Sequence, residues 1–206
     1  MTHQLDIKTA GIALNKAKKA LIMIHGRGGS AEDILELSQY LNVEDYALLA
    51  PQATGHTWYP YPFIAPVEQN EPWLTSALDV IGKTVKSIVE AGIEPQNIFF
   101  FGFSQGACLT LEFLARNAQQ FGGAVAIIGG VIGEKINKEN YNGDFQQTPI
   151  FIGTSHPDFH VPIERVHDTE NILKEMNAAV TLKIYENFGH SINQEEIDLA
   201  NTIIFQ

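Results

Sequence analysis

Short apolar runs, rich in β-branched and aromatic residues, recur along the chain and predict β-strands. Most of them are nearly continuously hydrophobic, which is typical of strands covered on both faces of a parallel sheet. Residues 5–13 are expected to add an antiparallel edge strand or hairpin. The six predicted sheet strands are 20–24, 46–50, 97–101, 124–128, 149–152 and 180–185.

Amphipathic stretches of helical length separate these runs, and each carries an apolar stripe for burial. One begins at Ser30, one runs from Pro72 to near Gly92, and three more span 104–119, 162–177 and 194–205. Strands that alternate with helices predict a single α/β domain over residues 1–206, with three layers and a mostly parallel central sheet. In such a domain, ligand chemistry gathers at the carboxyl ends of the strands.

Two segments depart from this alternation. Residues 51–71 are too rich in proline for regular structure and too aromatic for a solvated linker, so we expect them to pack over another part of the protein. Residues 129–147 are polar with several glycines and predict a surface excursion.

Composition narrows the function classes. With 206 residues, 45% hydrophobic and 18% charged, the chain can bury a large core and is not disordered over most of its length. A net charge of -11 has the wrong sign for nucleic acid or an anionic membrane surface. No apolar stretch approaches the roughly 18 residues of a membrane span, so no membrane insertion is expected. A single cysteine forms no internal disulfide, which predicts a reducing, cytoplasmic location.

The sharpest chemical signal is Gly-Phe-Ser-Gln-Gly at residues 102–106, between a predicted strand and a predicted helix. This is the G-x-S-x-G nucleophile elbow, which exposes its serine at a strained strand-to-helix turn. The flanking glycines are required because side chains there would clash as the turn closes. Ser104 is therefore the candidate nucleophile.

A serine nucleophile needs a base and an orienting acid. His190, just after the last predicted strand, is the candidate base. The loop after strand 149–152 offers one carboxylate, Asp158, as the acid, because Glu164 and Asp168 fall within the next helix. The same loop supports a weaker alternative, a metallohydrolase site built from His156, Asp158 and His160.

The glycine-rich loop His-Gly-Arg-Gly-Gly-Ser, residues 25–30, follows the strand 20–24. In a hydrolase with this elbow, such a loop supplies one backbone N–H of the oxyanion hole and the residue after the nucleophile supplies the other. These are the amides of Arg27 and Gln105. The loop also fits a dinucleotide-binding pattern, but Pro51 and Gln52 follow the next strand where a ribose-binding acid is required.

Taken together, the elbow, the loop 25–30, Asp-Phe-His-Val-Pro at 158–162 and Phe-Gly-His at 188–190 resemble the phospholipase/carboxylesterase family of small α/β-hydrolases. The family is similar to acyl-protein thioesterases and dienelactone-hydrolase-like esterases. The resemblance implies an α/β-hydrolase fold without a large cap domain, hydrolysis of a small-molecule carboxylic ester or a thioester, no cofactor, and often a homodimer. It also implies Ser104 as nucleophile, Asp158 as acid and His190 as base.

Three positions depart from the relatives. Relatives with a shorter acid loop place aspartate three residues after the glycine at the strand end, where this chain has His156, and Asp158 matches instead by the pattern Asp-x-x-Val-Pro at 158–162. Arg27 stands where thioesterase-like members carry an apolar residue, so it is expected either to hold an anionic substrate group or to pair with a surface acid. Dienelactone hydrolases carry cysteine at the elbow, whereas here Cys108 lies one helical turn after Ser104 and is expected to be a small core residue.

The aromatic residues of segment 51–71 and its flank are expected to lie over the active site, where two roles stay open for each of them. They wall an acyl or aromatic pocket, or they pack to anchor a long loop. The candidate pocket residues are Trp58, Tyr59, Phe63 and Trp73. The sequence therefore predicts a serine esterase. A non-catalytic ligand-binding module on a hydrolase fold and the metallohydrolase remain as alternatives.

Overall fold

The computed structural model describes residues 2–206, which form one seven-stranded sheet in the order β1-β3-β2-β4-β5-β6-β7. Neighbouring strands from β3 to β7 pair in parallel, and β1 pairs antiparallel with β3 at the edge. The strands are β1 (Ile7–Gly11), β2 (Lys19–Ile24), β3 (Tyr46–Pro51), β4 (Ile98–Phe103), β5 (Gly123–Ile127), β6 (Pro149–His156) and β7 (Ala179–Glu186).

The helices follow the strands in alternation, with caps that match their sequences. Ser30 and Asn193 each close a capping box at a helix start, satisfying backbone N–H groups that the first helical turn leaves without partners. The helices are α1 (Ala31–Glu36), α2 (Val67–Asn70), α3 (Trp73–Glu90), α4 (Gln105–Arg116), α5 (Ile163–Glu175) and α6 (Gln194–Ile203).

Helices cover both faces of the sheet, as two adjacent phenylalanines in β4 show. Successive strand residues point to opposite faces. The ring of Phe100 packs 5.9 Å from that of Phe113 in α4, whereas the ring of Phe99 packs 6.2 Å from that of Phe205, just past α6. The central strands are therefore buried on both sides, which explains their continuous apolar runs and confirms the predicted three-layer fold.

The segments outside the alternation are more ordered than the sequence predicts. Within 51–71 the chain forms a short 3-10 turn at Thr54–His56 and the helix α2. The predicted surface excursion is wrong for its first part, since residues 129–133 are buried. The backbone N–H groups of Val131 and Ile132 donate to Thr169 and to the buried Glu112, partners that only the tertiary fold supplies.

None of the helices in residues 2–206 combines the length and apolar character needed to cross a bilayer.

Candidate active site

Ser104 lies at a sharp turn between β4 and α4, with φ 53° and ψ -118°. A non-glycine residue with positive φ is uncommon and costs conformational energy. The flanking glycines permit the turn, as the sequence predicts. A Cβ on Gly102 would lie 2.5 Å from the carbonyl oxygen of Gly106, and one on Gly106 would collide with the carbonyl oxygen of Ile24.

His190 is brought to this turn by the loop that follows β7. The backbone N–H of Gly189 donates to the buried Ser155 hydroxyl at 2.9 Å, which ties the loop to the end of β6. The Nε2 atom of His190 lies 2.8 Å from the Ser104 hydroxyl oxygen. Two residues 86 positions apart thus form one hydrogen-bonded pair at the carboxyl edge of the sheet.

Asp158 joins the pair from the loop after β6, and its side chain is only 1% exposed. One carboxylate oxygen lies 2.8 Å from Nδ1 of His190, and the other accepts the backbone N–H groups of His160 and Val161. Burial alone would raise the pKa of Asp158, but the hydrogen bonds from His190 and from the two amides outweigh burial and lower it. The carboxyl group is therefore ionised at neutral pH.

This arrangement fixes the protonation pattern of the imidazole. A carboxylate only accepts hydrogen bonds, so Nδ1 of His190 carries the proton and donates to Asp158. Nε2 is left as the acceptor for the Ser104 hydroxyl. The three side chains can therefore move a proton from the serine to the imidazole.

The loop 25–30 approaches the same turn. A Cβ on Gly26 would lie 3.4 Å from the Ser104 Cβ, so the loop packs directly beside the serine. The Gly26 carbonyl accepts from Nδ1 of His25 at 2.7 Å and from the Gly29 N–H at 3.2 Å. Because a trans peptide unit points its N–H opposite to its C=O, these two bonds also fix the direction of the Arg27 N–H.

His25 holds this peptide as a neutral imidazole. Its Nε2 accepts the Ala53 N–H at 3.1 Å, so the ring proton sits on Nδ1. Burial lowers the pKa of His25 against the opposing effect of its bond to Gly26. The sequence motifs predict no separate role for His25, although a histidine directly before a glycine-rich loop is a signal that points to it.

A cavity of about 480 Å³ opens beside Ser104 and His190. Most of its wall is apolar, and two exposed rim residues, Phe159 and Ile64, extend this surface to solvent. Its apolar and aromatic lining is Tyr59, Pro60, Pro62, Phe63, Ile64, Phe159 and Val161.

Two of the four candidate pocket residues do not reach the cavity. Trp58 is fully buried, stacks near His25 at 5.1 Å and donates its indole N–H to the His25 carbonyl. Trp73 packs edge-on against His3 at 5.1 Å. The assignment of these two tryptophans to the pocket is corrected, because Trp58 anchors segment 51–71 behind the cavity and Trp73 packs against His3 instead. Tyr59 and Phe63 do line the cavity.

Within residues 2–206 the Arg27 guanidinium forms no ion pair with an acidic side chain, so the expected pairing with a surface acid is wrong. It donates to the backbone carbonyls of Tyr59, Pro60 and Tyr61 at 2.9 to 3.1 Å. Carbonyl partners leave no sequence signature, so this contact could not be read from the chain.

Cys108 is buried beside the cavity, and burial raises the pKa of its thiol to about 12. A thiol in that state is not a nucleophile at neutral pH, in agreement with the sequence prediction. The metallohydrolase alternative gains no support, because no group of three or more His, Cys, Asp or Glu side chains within residues 2–206 is arranged to hold a metal ion. The oxygens of Asp158 are engaged by His190 and the loop amides.

Comparisons with known proteins converge on one group. Residues 12–205 match the family model for phospholipase/carboxylesterase. The chain is 28% identical to acyl-protein thioesterase 1 of Saccharomyces cerevisiae, over 92% of this chain and 93% of the relative, and 26% identical to a probable SOBER1-like carboxylesterase of Arabidopsis thaliana, over 99% and 86%. A phospholipase/carboxylesterase structure from Dyadobacter fermentans superposes with a TM-score of 0.99 at 50% identity, over 100% and 99% of the two chains.

Proposed function

The chain belongs to the phospholipase/carboxylesterase family and is an ester hydrolase, and from that premise we propose that it cleaves carboxylic esters through an acyl-enzyme on Ser104. His190 acts as the base and Asp158 as the orienting acid. The observation that carries the proposal is the continuous chain of hydrogen bonds from Asp158 through His190 to Ser104, each 2.8 Å long.

In the acylation step, the Ser104 oxygen attacks the ester carbonyl carbon while Nε2 of His190 takes the hydroxyl proton. The imidazolium that forms is stabilised by the ionised Asp158. His190 then gives this proton to the alcohol as the bond between carbonyl carbon and alcohol oxygen breaks. The alcohol leaves and the acyl group remains on Ser104.

The negative charge that develops on the carbonyl oxygen is received by the amides of Arg27 and Gln105. Within residues 2–206 neither of these N–H groups has a hydrogen-bond acceptor, so both are free to donate. The amide of Gln105 also stands at the start of α4, whose dipole favours negative charge there. Water, deprotonated by His190, then attacks the acyl-enzyme and releases the carboxylic acid.

The apolar cavity is suited to an acyl chain or an aromatic group, because Tyr59 and Phe63 offer it apolar surface beside the serine. Segment 51–71 provides this wall over the site. The same chemistry serves oxygen esters, thioesters and lysophospholipids, since all three present an acyl carbonyl to the nucleophile. We therefore propose an acyl ester hydrolase that works without a cofactor.

Steady-state hydrolysis of p-nitrophenyl acetate, butyrate and octanoate tests this function. We expect Ser104→Ala to lower kcat by more than about 10³-fold, because removing the nucleophile leaves only binding and the oxyanion hole. Ser87→Ala is the matched control, since Ser87 lies on α3 and donates to the Thr84 carbonyl away from the site. A folded Ser104→Ala enzyme with kcat within tenfold of the wild type would overturn the proposal.

A further inference from the structure

The two residues proposed to donate their amides to the oxyanion also send their side chains to a common target, the segment 58–61. The buried Gln105 side chain binds it at two points. Its Oε1 accepts the Trp58 N–H at 2.9 Å, and its Nε2 donates to the Tyr59 carbonyl at 2.8 Å. A single side-chain amide is thus used in both hydrogen-bonding senses, and each bond holds the backbone directly.

Arg27, in the loop 25–30, binds the same segment 58–61 through its side chain. One terminal nitrogen of its guanidinium donates to the Tyr59 and Tyr61 carbonyls at 2.9 and 3.1 Å, and the other donates to the Pro60 carbonyl at 3.1 Å. A guanidinium is planar and presents its donors in a rigid fork, so these three bonds define one orientation of the backbone. Lysine has a flexible stem and a point charge and cannot reproduce that geometry.

Further hydrogen bonds join the loop 25–30 to the same region. The Gly28 N–H donates to the His56 carbonyl at 2.7 Å, and the Trp58 indole donates to the His25 carbonyl at 2.9 Å. Hydrogen bonds therefore join three parts of the chain into one body, namely the loop 25–30, Gln105 and segment 58–61. Tyr59 and Pro60 of that body line the cavity beside Ser104.

We propose that the side chains of Arg27 and Gln105 are positioning groups that lock segment 58–61 to the oxyanion hole, so that this wall of the pocket is a fixed part of the catalytic frame. The proposal rests on the proposed function, because it takes the two amides as oxyanion donors. It adds that the pocket wall and the donors are held by the same two residues and move together.

The consequence is kinetic. An oxyanion hole works because its donors stand in place before charge develops, and misplacement by about 1 Å can cost about 10²-fold in rate. Weakening the hydrogen bonds from the Arg27 and Gln105 side chains to segment 58–61 shifts the two oxyanion-hole amides in every catalytic cycle, whichever ester is bound. The loss must therefore appear in kcat for short and long acyl esters alike, with a smaller change in KM.

The test compares Arg27→Lys and Gln105→Met with Arg165→Lys. Arg165 is the matched control, because its guanidinium also donates to three backbone carbonyls, those of Val131, Gly133 and Glu134. It lies near the Phe63 ring, but none of its hydrogen bonds reaches segment 58–61. We expect kcat on p-nitrophenyl acetate to fall about 10- to 100-fold in the first two variants and to stay within about twofold in the third.

Chemical rescue separates positioning from general destabilisation. In Arg27→Ala, added guanidinium ion at millimolar concentration should occupy the vacated position and restore part of kcat, whereas methylammonium should not. Circular dichroism establishes that each variant is folded. Wild-type turnover and the loss in Ser104→Ala are measured first, so that a failure of the proposed function is recognised separately.

Two results would overturn the proposal in an enzyme whose Ser104 is active. One is a folded Arg27→Lys or Gln105→Met variant with kcat within twofold of the wild type. The other is an equal loss of kcat in Arg165→Lys, with no rescue of Arg27→Ala by guanidinium. The hydrogen bonds of Arg27 and of Arg165 to backbone carbonyls would then both act only on stability.

Discussion

At the residue scale, the proposed acid Asp158 is a buried carboxylate whose hydrogen-bond partners offset the free-energy cost of removing its charge from water. The side chain of Asp158 is 1% exposed, yet its two oxygens meet one imidazole N–H and two backbone N–H groups. A buried charge is tolerated when it is paired and hydrogen-bonded in this way. Its lowered pKa keeps it ionised where an orienting acid must be charged.

Asp158→Asn should leave the fold intact and lower kcat by about 10³- to 10⁴-fold. An asparagine that turns its amide nitrogen toward His190 stabilises the wrong tautomer, an effect of about 10⁴ in a serine protease. Asp168→Asn, a change of an exposed residue on α5, is the matched control and should retain kcat. The comparison of the two kcat values tests the assignment of Asp158 as the orienting acid. An Asp158→Asn enzyme whose kcat is within tenfold of the wild-type value would exclude it.

Much of the site was predictable at this scale, and the part that was not has a common cause. Ser104, Asp158 and His190 follow from a local motif and from their order after predicted strands, and the structure brings their side chains together. The contacts of Arg27 with backbone carbonyls and the burial of Trp58 behind the pocket depend on how distant segments meet. No local pattern in the sequence encodes such tertiary contacts.

At the element scale, the strand-to-helix elbow depends on the close approach of β2 and α4. The position of Gly106 leaves no room for a Cβ against the Ile24 carbonyl at the end of β2. The predicted strands agree with the observed ones apart from their ends, and β6 runs four residues beyond its prediction, to His156. Burial by α6 and pairing with β7 extend β6, and both are tertiary effects.

Gly106→Ala should destabilise the protein by about 3 kcal/mol or more, because the added methyl group overpacks a site bounded by backbone. Gly82→Ala is the matched control, since Gly82 lies within α3 and the nearest atom that its Cβ would meet outside that helix is on the Phe113 ring, at 3.8 Å. There the same change should stabilise by about 0.5–1 kcal/mol. Urea unfolding of both variants gives the two free energies, and equal values for the pair would contradict this account of the elbow.

Glu196, in the first turn of α6, links helix capping to pH. Its side chain closes the capping box with Asn193 and is buried, and burial raises its pKa to about 7, with the nearby Glu195 acting in the same direction. Between its ordinary pKa of roughly 4.3 and this value, the folded state binds more protons than the unfolded state. The contribution of Glu196 to stability therefore falls as pH rises through this window.

Glu196→Gln should remove this dependence while keeping an acceptor for the Asn193 N–H. Relative to the variant, the wild type should lose about 1–3 kcal/mol of unfolding free energy between pH 5 and pH 8. Glu68→Gln, a change of an exposed residue on α2 that does not act on the pKa of Glu196, should follow the wild-type curve. Urea titrations at four pH values measure the difference, and parallel curves for wild type and Glu196→Gln would show that Glu196 is not the titrating group.

At the scale of the whole molecule, the candidate site is assembled by the common direction of the parallel strands. Ser104, Asp158, His190 and the loop 25–30 follow β4, β6, β7 and β2 respectively, so all of them emerge at one edge of the sheet. Segment 51–71 follows β3 to the same edge and supplies a wall of the cavity. The alternation of strands and helices predicted this edge, whereas the route of segment 51–71 across it required the folded structure.

Ser104 is proposed to be an activated nucleophile, and intact mass spectrometry after treatment with a fluorophosphonate measures this property. We expect one adduct per wild-type chain and none on folded Ser104→Ala. Labelling of wild type should also fade when His190 is replaced by alanine, because the serine then lacks its base. A folded wild-type chain that forms no adduct, or an adduct that persists in Ser104→Ala, would exclude Ser104 as the nucleophile.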